Sequence, residues 1–122
     1  MAGRYDIDCE KGATFRRVIT WGDENESPIN LTGFSARMQV REAFTSSTTV
    51  ASLTNANGKI TLDGASGRVT IQLTASDTAA LPVSTTFGDA WVGVYDLELV
   101  APSGDVTRLL EGQFVVTPEV TR

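Results

Sequence analysis

WVGVYDLELVAPSGDVTRLLEGQFVV, residues 91–116, decides the fold. Two apolar-alternating runs flank Pro102-Ser103-Gly104-Asp105. Pro presets φ for a tight turn, Gly accepts a positive φ, and Ser and Asp side chains bond the local backbone. On the first arm Gly93, Tyr95, Leu97 and Leu99 share one parity, and Asp96 and Glu98 share the other with Val92, Val94 and Val100. Strand side chains alternate faces, so one face is apolar and the other mixed. The second arm starts at Val106 and changes phase around Glu111-Gly112, where a Gly inside a strand suggests a bulge. The expectation is a β-hairpin of about ten residues per arm, at the upper end of usual strand length. Such a hairpin is not stable alone, so the rest of the chain must cover its apolar face.

Upstream, the same alternation recurs. Tyr5 to Cys9 reads as a first strand, with Tyr5, Ile7 and Cys9 on one face. Ala13 to Trp21 alternates apart from Arg17, which falls on the apolar parity. It either buries its stem near a strand end and keeps its head wet, or faces a partner chain. Phe34 to Arg41 is the cleanest strand: Phe34, Ala36, Met38 and Val40 point one way, Ser35, Arg37, Gln39 and Arg41 the other. Glu42 to Ser47 is a polar connection. Thr48–Leu53, an Asn57-Gly58 hairpin turn, Lys59–Leu62, a Gly-rich turn and Arg68–Thr74 read as a meander. Residues 76–81 carry the one helical signal, which Ser76 or Asp77 caps and Pro82 ends. Thr117-Pro118 stops the last strand, because Pro cannot donate to the ladder. About eight strands at this spacing predict an all-β, antiparallel β-sandwich, immunoglobulin-like or jelly-roll-like, in a single domain over residues 1–122.

Composition narrows the function classes. At 122 residues the chain buries a sizeable core without staples. It has no run of 18 apolar residues, and its N-terminus lacks the pattern of a secretory signal, so neither membrane nor export is expected. A net charge of −5 argues against nucleic acid as a partner, since phosphate binding needs a basic stripe. The chain has no histidine, which removes the commonest general base, the Ser-His and Cys-His nucleophile pairs and the commonest metal ligand. The single cysteine, Cys9, rules out an internal disulfide and reads as a small buried hydrophobe. Asp6, Asp8 and Glu10, with the acidic loop 22–28, offer oxygens of the kind a calcium ion takes. Those three carboxylates sit on one strand face about 7 Å apart by strand rise, and nothing follows EF-hand spacing, so a solvated acidic face is expected and no metal, cofactor or small-molecule ligand. An enzyme is not expected.

Three segments carry a family resemblance: Pro28 to Arg41 (PINLTGFSARMQVR), Gly67 to Thr74 (GRVTIQLT) with Ala79-Ala80-Leu81-Pro82, and the long hairpin with Thr117 to Thr121. Their order and spacing are similar to the N-terminal β-sandwich of bacteriophage baseplate upper proteins. The resemblance implies a non-enzymatic structural component of a virion (tail, baseplate, neck or capsid surface), made in the bacterial cytoplasm, self-associating and docking to other virion proteins. It implies no catalytic residues. The resemblance covers nearly all of the 122 residues and includes no coiled coil or receptor-binding domain among them. Eight of its ten basic residues are Arg, the cation that interfaces favour, although a codon bias yields the same excess. Candidate contact residues are therefore those a monomer leaves wet: Arg16, Arg17, Arg37, Arg41, Phe87 and Trp91, with core packing the competing role for the two aromatics. The alternative function is a carbohydrate- or cell-surface-binding adhesion module, stacking a sugar on Tyr5, Trp21 or Trp91.

Overall fold

A computed structural model describes residues 3–84 and 89–119. In chain order these form β1 (Gly3–Arg4), β2 (Ile7–Glu10), β3 (Phe15–Thr20), β4 (Ser35–Arg41), β5 (Ala51–Thr54), β6 (Ile60–Asp63), β7 (Arg68–Leu73), α1 (Ala75–Ala79), β8 (Trp91–Val100) and β9 (Val106–Thr117). The protein is mostly β, in two sheets. The larger runs β1-β9-β8-β4-β5, with β2 also on β9, and the smaller runs β3-β7-β6.

The long hairpin is the spine of the larger sheet. Trp91 pairs with Val116 and Val100 with Val106. The Gly104 amide donates to the Ala101 carbonyl and the Ala101 amide to the Asp105 carbonyl, with Gly104 at φ 94°. Gly93, Tyr95, Leu97 and Leu99 are buried, as their parity requires. The irregularity lies elsewhere than expected. Leu97 faces Leu110 while Glu98 faces Arg108, so Leu109 is the extra residue and Gly112 stays in regular pairing. Gly112 is glycine for another reason: a Cβ there would lie 2.3 Å from the Tyr5 carbonyl oxygen.

That carbonyl belongs to a segment whose pairing also differs from the expected antiparallel one. The N-terminal segment pairs with β9 in parallel, so the larger sheet is mixed rather than purely antiparallel. Arg4 faces Glu111 and Ile7 faces Phe114, one register across a break at Tyr5-Asp6. The break is satisfied by side chains. Asp6 Oδ1 accepts the Gln113 amide at 2.9 Å, and the Tyr95 hydroxyl donates to the Tyr5 carbonyl at 2.5 Å. Both replace ladder bonds that the backbone would otherwise leave unmade.

The expected meander also fails at its first link. β5 pairs with β4 in the larger sheet and β6 with β7 in the smaller, so Asn55–Gly58 carries the chain from one sheet to the other and closes no hairpin. Asn57 shapes this crossing: its Oδ1 accepts the Thr54 and Lys59 amides and its Nδ2 donates to the Ser52 carbonyl. The β6–β7 hairpin is as expected, and β5 stands at the edge of the larger sheet. Helix α1 is capped by Thr74 in a reciprocal capping box with Asp77, two or three residues ahead of the positions expected. Lys11 Nζ donates to the Ala79 and Leu81 carbonyls at its other end. The fully buried Thr78 hydroxyl accepts the Gly12 amide and donates to the Ala13 carbonyl.

One core serves both sheets. Ile7, Met38, Leu97, Leu99 and Phe114 come from the larger, and Phe15, Ile60, Val69 and Ile71 from the smaller. Phe15 meets Phe114 edge to face with ring centroids 6.2 Å apart. Cys9 is fully buried among them, and burial pushes its thiol pKa up to about 11.

Candidate interaction surfaces

Two separate surfaces emerge from the sequence-derived candidates. Arg37 and Arg41 stand on the outer face of the larger sheet, because β4 buries Ala36, Met38 and Val40 and turns the other parity out. Arg37 Nε lies 2.8 Å from Glu98 Oε1 on β8. Arg108 sits 3.5 Å from Asp96 and 3.7 Å from Glu111 in the neighbouring rows. Partial burial, and then the neighbouring Glu98, raise the Asp96 pKa, and Arg108 offsets part of this. These pairs are half wet and each stabilises the fold little. Their effect is to neutralise the middle of the face.

Arg41 is held differently. Its guanidinium donates to the Ser46 carbonyl and to Gln39 Oε1, which pins the loop after β4. That loop places Phe44 at 80% exposure. Phe44, Arg41, Gln39, Val94, Tyr95 and Asp96 line a hollow of about 130 Å³. It is smaller than a small-molecule pocket and matches a single inserted side chain. Beyond it, Val92 is exposed and faces Val115 across the β8–β9 ladder. Phe44 and Val92 were not among the sequence candidates. Phe44 was legible as the lone large apolar residue in a polar connection, whereas Val92 looked like any strand valine.

Arg16 and Arg17 lie on β3, in the other sheet. Arg16 is exposed on its outer face. Arg17 turns toward the core rim: its guanidinium carbon is 4.8 Å from the Phe15 ring centre. Its two terminal nitrogens donate to the Arg16 carbonyl at 2.9 Å and to the Asp8 carbonyl on β2 at 3.2 Å. The apolar parity of Arg17 is thus explained by its stem lying over Phe15 while its head bridges the open edges of both sheets. Beside it a groove of about 440 Å³ is lined by Arg4, Tyr5, Arg17, Val18, Ile19 and Leu110. Val18 is 53% exposed.

Trp91 is half-buried, its ring lying over Gly93 and packed against the core, so it is the cover of the hairpin's end. Trp21 is likewise half-buried and meets Phe34 edge to face. Phe87 lies outside the described residues. The six sequence candidates therefore do not form one site. Arg37 and Arg41 share a face, Arg16 and Arg17 share a strand of the other sheet, and Trp91 belongs to the core margin.

The acidic residues are used locally. Asp6 takes the Gln113 amide, and Asp23 Oδ1 accepts the Asn25 and Ser27 amides. Among the described residues no group of three or more Cys, Asp or Glu side chains converges as metal ligands. Among the same residues no helix is long and apolar enough to cross a membrane. Neither the family models nor the curated proteins compared with this sequence match it.

Proposed function

We propose that this chain is a non-enzymatic structural component of a bacteriophage virion (tail, baseplate, neck or capsid surface), working by self-association and by docking to other virion proteins. The observation that carries the reading is the outer face of the larger sheet. A wet Phe44 stands beside Val94 and Arg41, with Val92 and Val115 beyond and a charge-paired centre at Arg37–Glu98. Aromatic and Arg anchors next to a one-side-chain hollow, ringed by neutralised charge, suit a protein partner. The virion assignment itself rests on the order and spacing of the three segments that resemble baseplate upper proteins. Within this reading the two sheets stack face to face as a sandwich, immunoglobulin-like or jelly-roll-like. Phe15 of one sheet against Phe114 of the other supports that stacking. The adhesion reading has less behind it, since Trp21 and Trp91 both lean on the core and, of its three aromatics, Tyr5 alone is exposed, beside the groove with Val18 and Leu110.

The test is whether the chain is in particles. Density-gradient-purified particles from cells carrying the gene are expected to contain its peptides at a constant ratio to a capsid protein. Particles that lack it, with the chain left in the soluble lysate, contradict the virion reading.

A further inference from the structure

We infer that the open edge of β3 takes a second copy of this chain, the two β3 strands pairing antiparallel about a two-fold axis at Val18; this rests on the self-association proposed above.

The edge is defined by hydrogen-bond parity. The Trp21 amide donates to the Gly67 carbonyl at 2.8 Å, extending the β3–β7 ladder. Odd-numbered residues of β3 therefore turn their amides and carbonyls to β7, and Arg16, Val18 and Thr20 turn theirs outward. Gln72 donates to the Lys59 carbonyl, so β7 uses its even residues on β6, which is the consistent alternation. Sheet order leaves β3 with β7 alone among the described strands. An exposed row of this kind is a template for strand addition.

Register selects the occupant. Two copies related by an axis perpendicular to the sheet keep each face in common, so even residues oppose even and odd oppose odd. Centred on Arg16 or Arg17, the pairing sets an arginine against its own copy, which is destabilising. Centred on Ile19 or Thr20, it runs off the strand into the loop after Thr20. Centred on Val18, Arg16 faces the partner's Thr20, Arg17 faces the partner's Ile19, and Val18 meets its own copy. Every outward residue of the strand then exchanges both its bonds, and no like charges are opposed. The strand is electrostatically self-compatible in that one full-length register. The partner's Ile19 enters beside the groove lined by Tyr5, Ile19 and Leu110 and narrows it. The exposed Val18 side chain is covered. Arg17, now reaching back to the Arg16 carbonyl, gives up or shares that acceptor with the amide of the partner's Thr20. It acts as a guard on the edge until a matching strand arrives.

Cross-linking reads this register directly. Val18→Cys, oxidised at concentrations where the wild type associates, is expected to form a disulfide-linked dimer, since the opposed Cα atoms fall within disulfide reach. Thr20→Cys, whose opposite is Arg16, is expected to stay reduced. Cys9 is buried and does not compete. In parallel, Val18→Lys sets two ammonium groups across the axis at a site already half in water. It is expected to raise the dissociation constant by roughly a hundredfold with an unchanged unfolding midpoint. If the wild type associates but Val18→Cys does not cross-link and Val18→Lys changes nothing, the β3 pairing is overturned while self-association stands. If the wild type is monomeric throughout, both fall, and the edge is left to a strand of another protein.

Discussion

Gly112 shows how one residue reports the joining of two distant segments. It lies in a regular ladder at φ outside the left-handed region, so conformational freedom does not explain it. Its missing Cβ does, because the Tyr5 carbonyl passes through that space on its way to the Tyr95 hydroxyl. Gly112→Ala is expected to cost about 2–3 kcal/mol, since the obstacle is backbone and cannot swing away. The check is a shift in denaturant midpoint at constant m-value. Cys9 gives a second prediction, in pH. Its folded thiol pKa is raised from 9.0 to about 11, first by burial, with Arg17 pulling the other way. The unfolded chain ionises first, so it holds fewer protons and stability falls as pH rises. The contribution is complete below the unfolded value near 9.0 and is lost progressively toward about 11. Tyr95, also raised by burial, extends the loss further into alkali. Denaturant midpoints across this range are expected to decline in the wild type and to decline less steeply in Cys9→Ala.

At the scale of elements, alternation made the strands legible and left their partners open. The hairpin 91–116, β4 and the β6–β7 pair were readable because each combines period-two burial with a local turn. Pairing that depends on contacts distant in sequence was not. Nothing in Tyr5 to Cys9 distinguishes a strand that runs parallel to β9 from one that runs antiparallel to a neighbour. Asn57-Gly58 looks like a hairpin turn because the same residues that favour positive φ also serve a crossing between sheets, with the Asn57 amide bonding three backbone groups. A glycine in a strand suggests irregular pairing, and the sequence alone therefore points to a bulge at Gly112. The ladder instead takes up its extra residue at Leu109, where Arg108-Leu109-Leu110 contains no glycine, proline or other turn residue to mark it. The helix was located, but its cap was missed, because Thr74 reads as the last residue of a strand and only its reciprocal bond with Asp77 identifies it. The candidate surface was half legible. The outward arginines of β4 followed from parity. Phe44 is legible as the lone large apolar residue of a polar connection, but Val18 and Val92 do not stand out, since a wet strand valine differs from a buried one only once the fold is known.

At the scale of the molecule, two surfaces are left unfinished in a single chain. One is the β3 edge with its groove, guarded by Arg17. The other is the outer face of the larger sheet, with Phe44 at its hollow. On the proposed reading the first takes a copy of the same chain and the second a different protein. This division matches a building block that both repeats and docks. The most direct measurement is the mass of the purified protein in solution, by light scattering or sedimentation from micromolar to millimolar concentration. Self-association predicts a defined, concentration-dependent species at a whole multiple, two or more, of the 13.0 kDa chain mass. A single 13.0 kDa species over the whole range would contradict it.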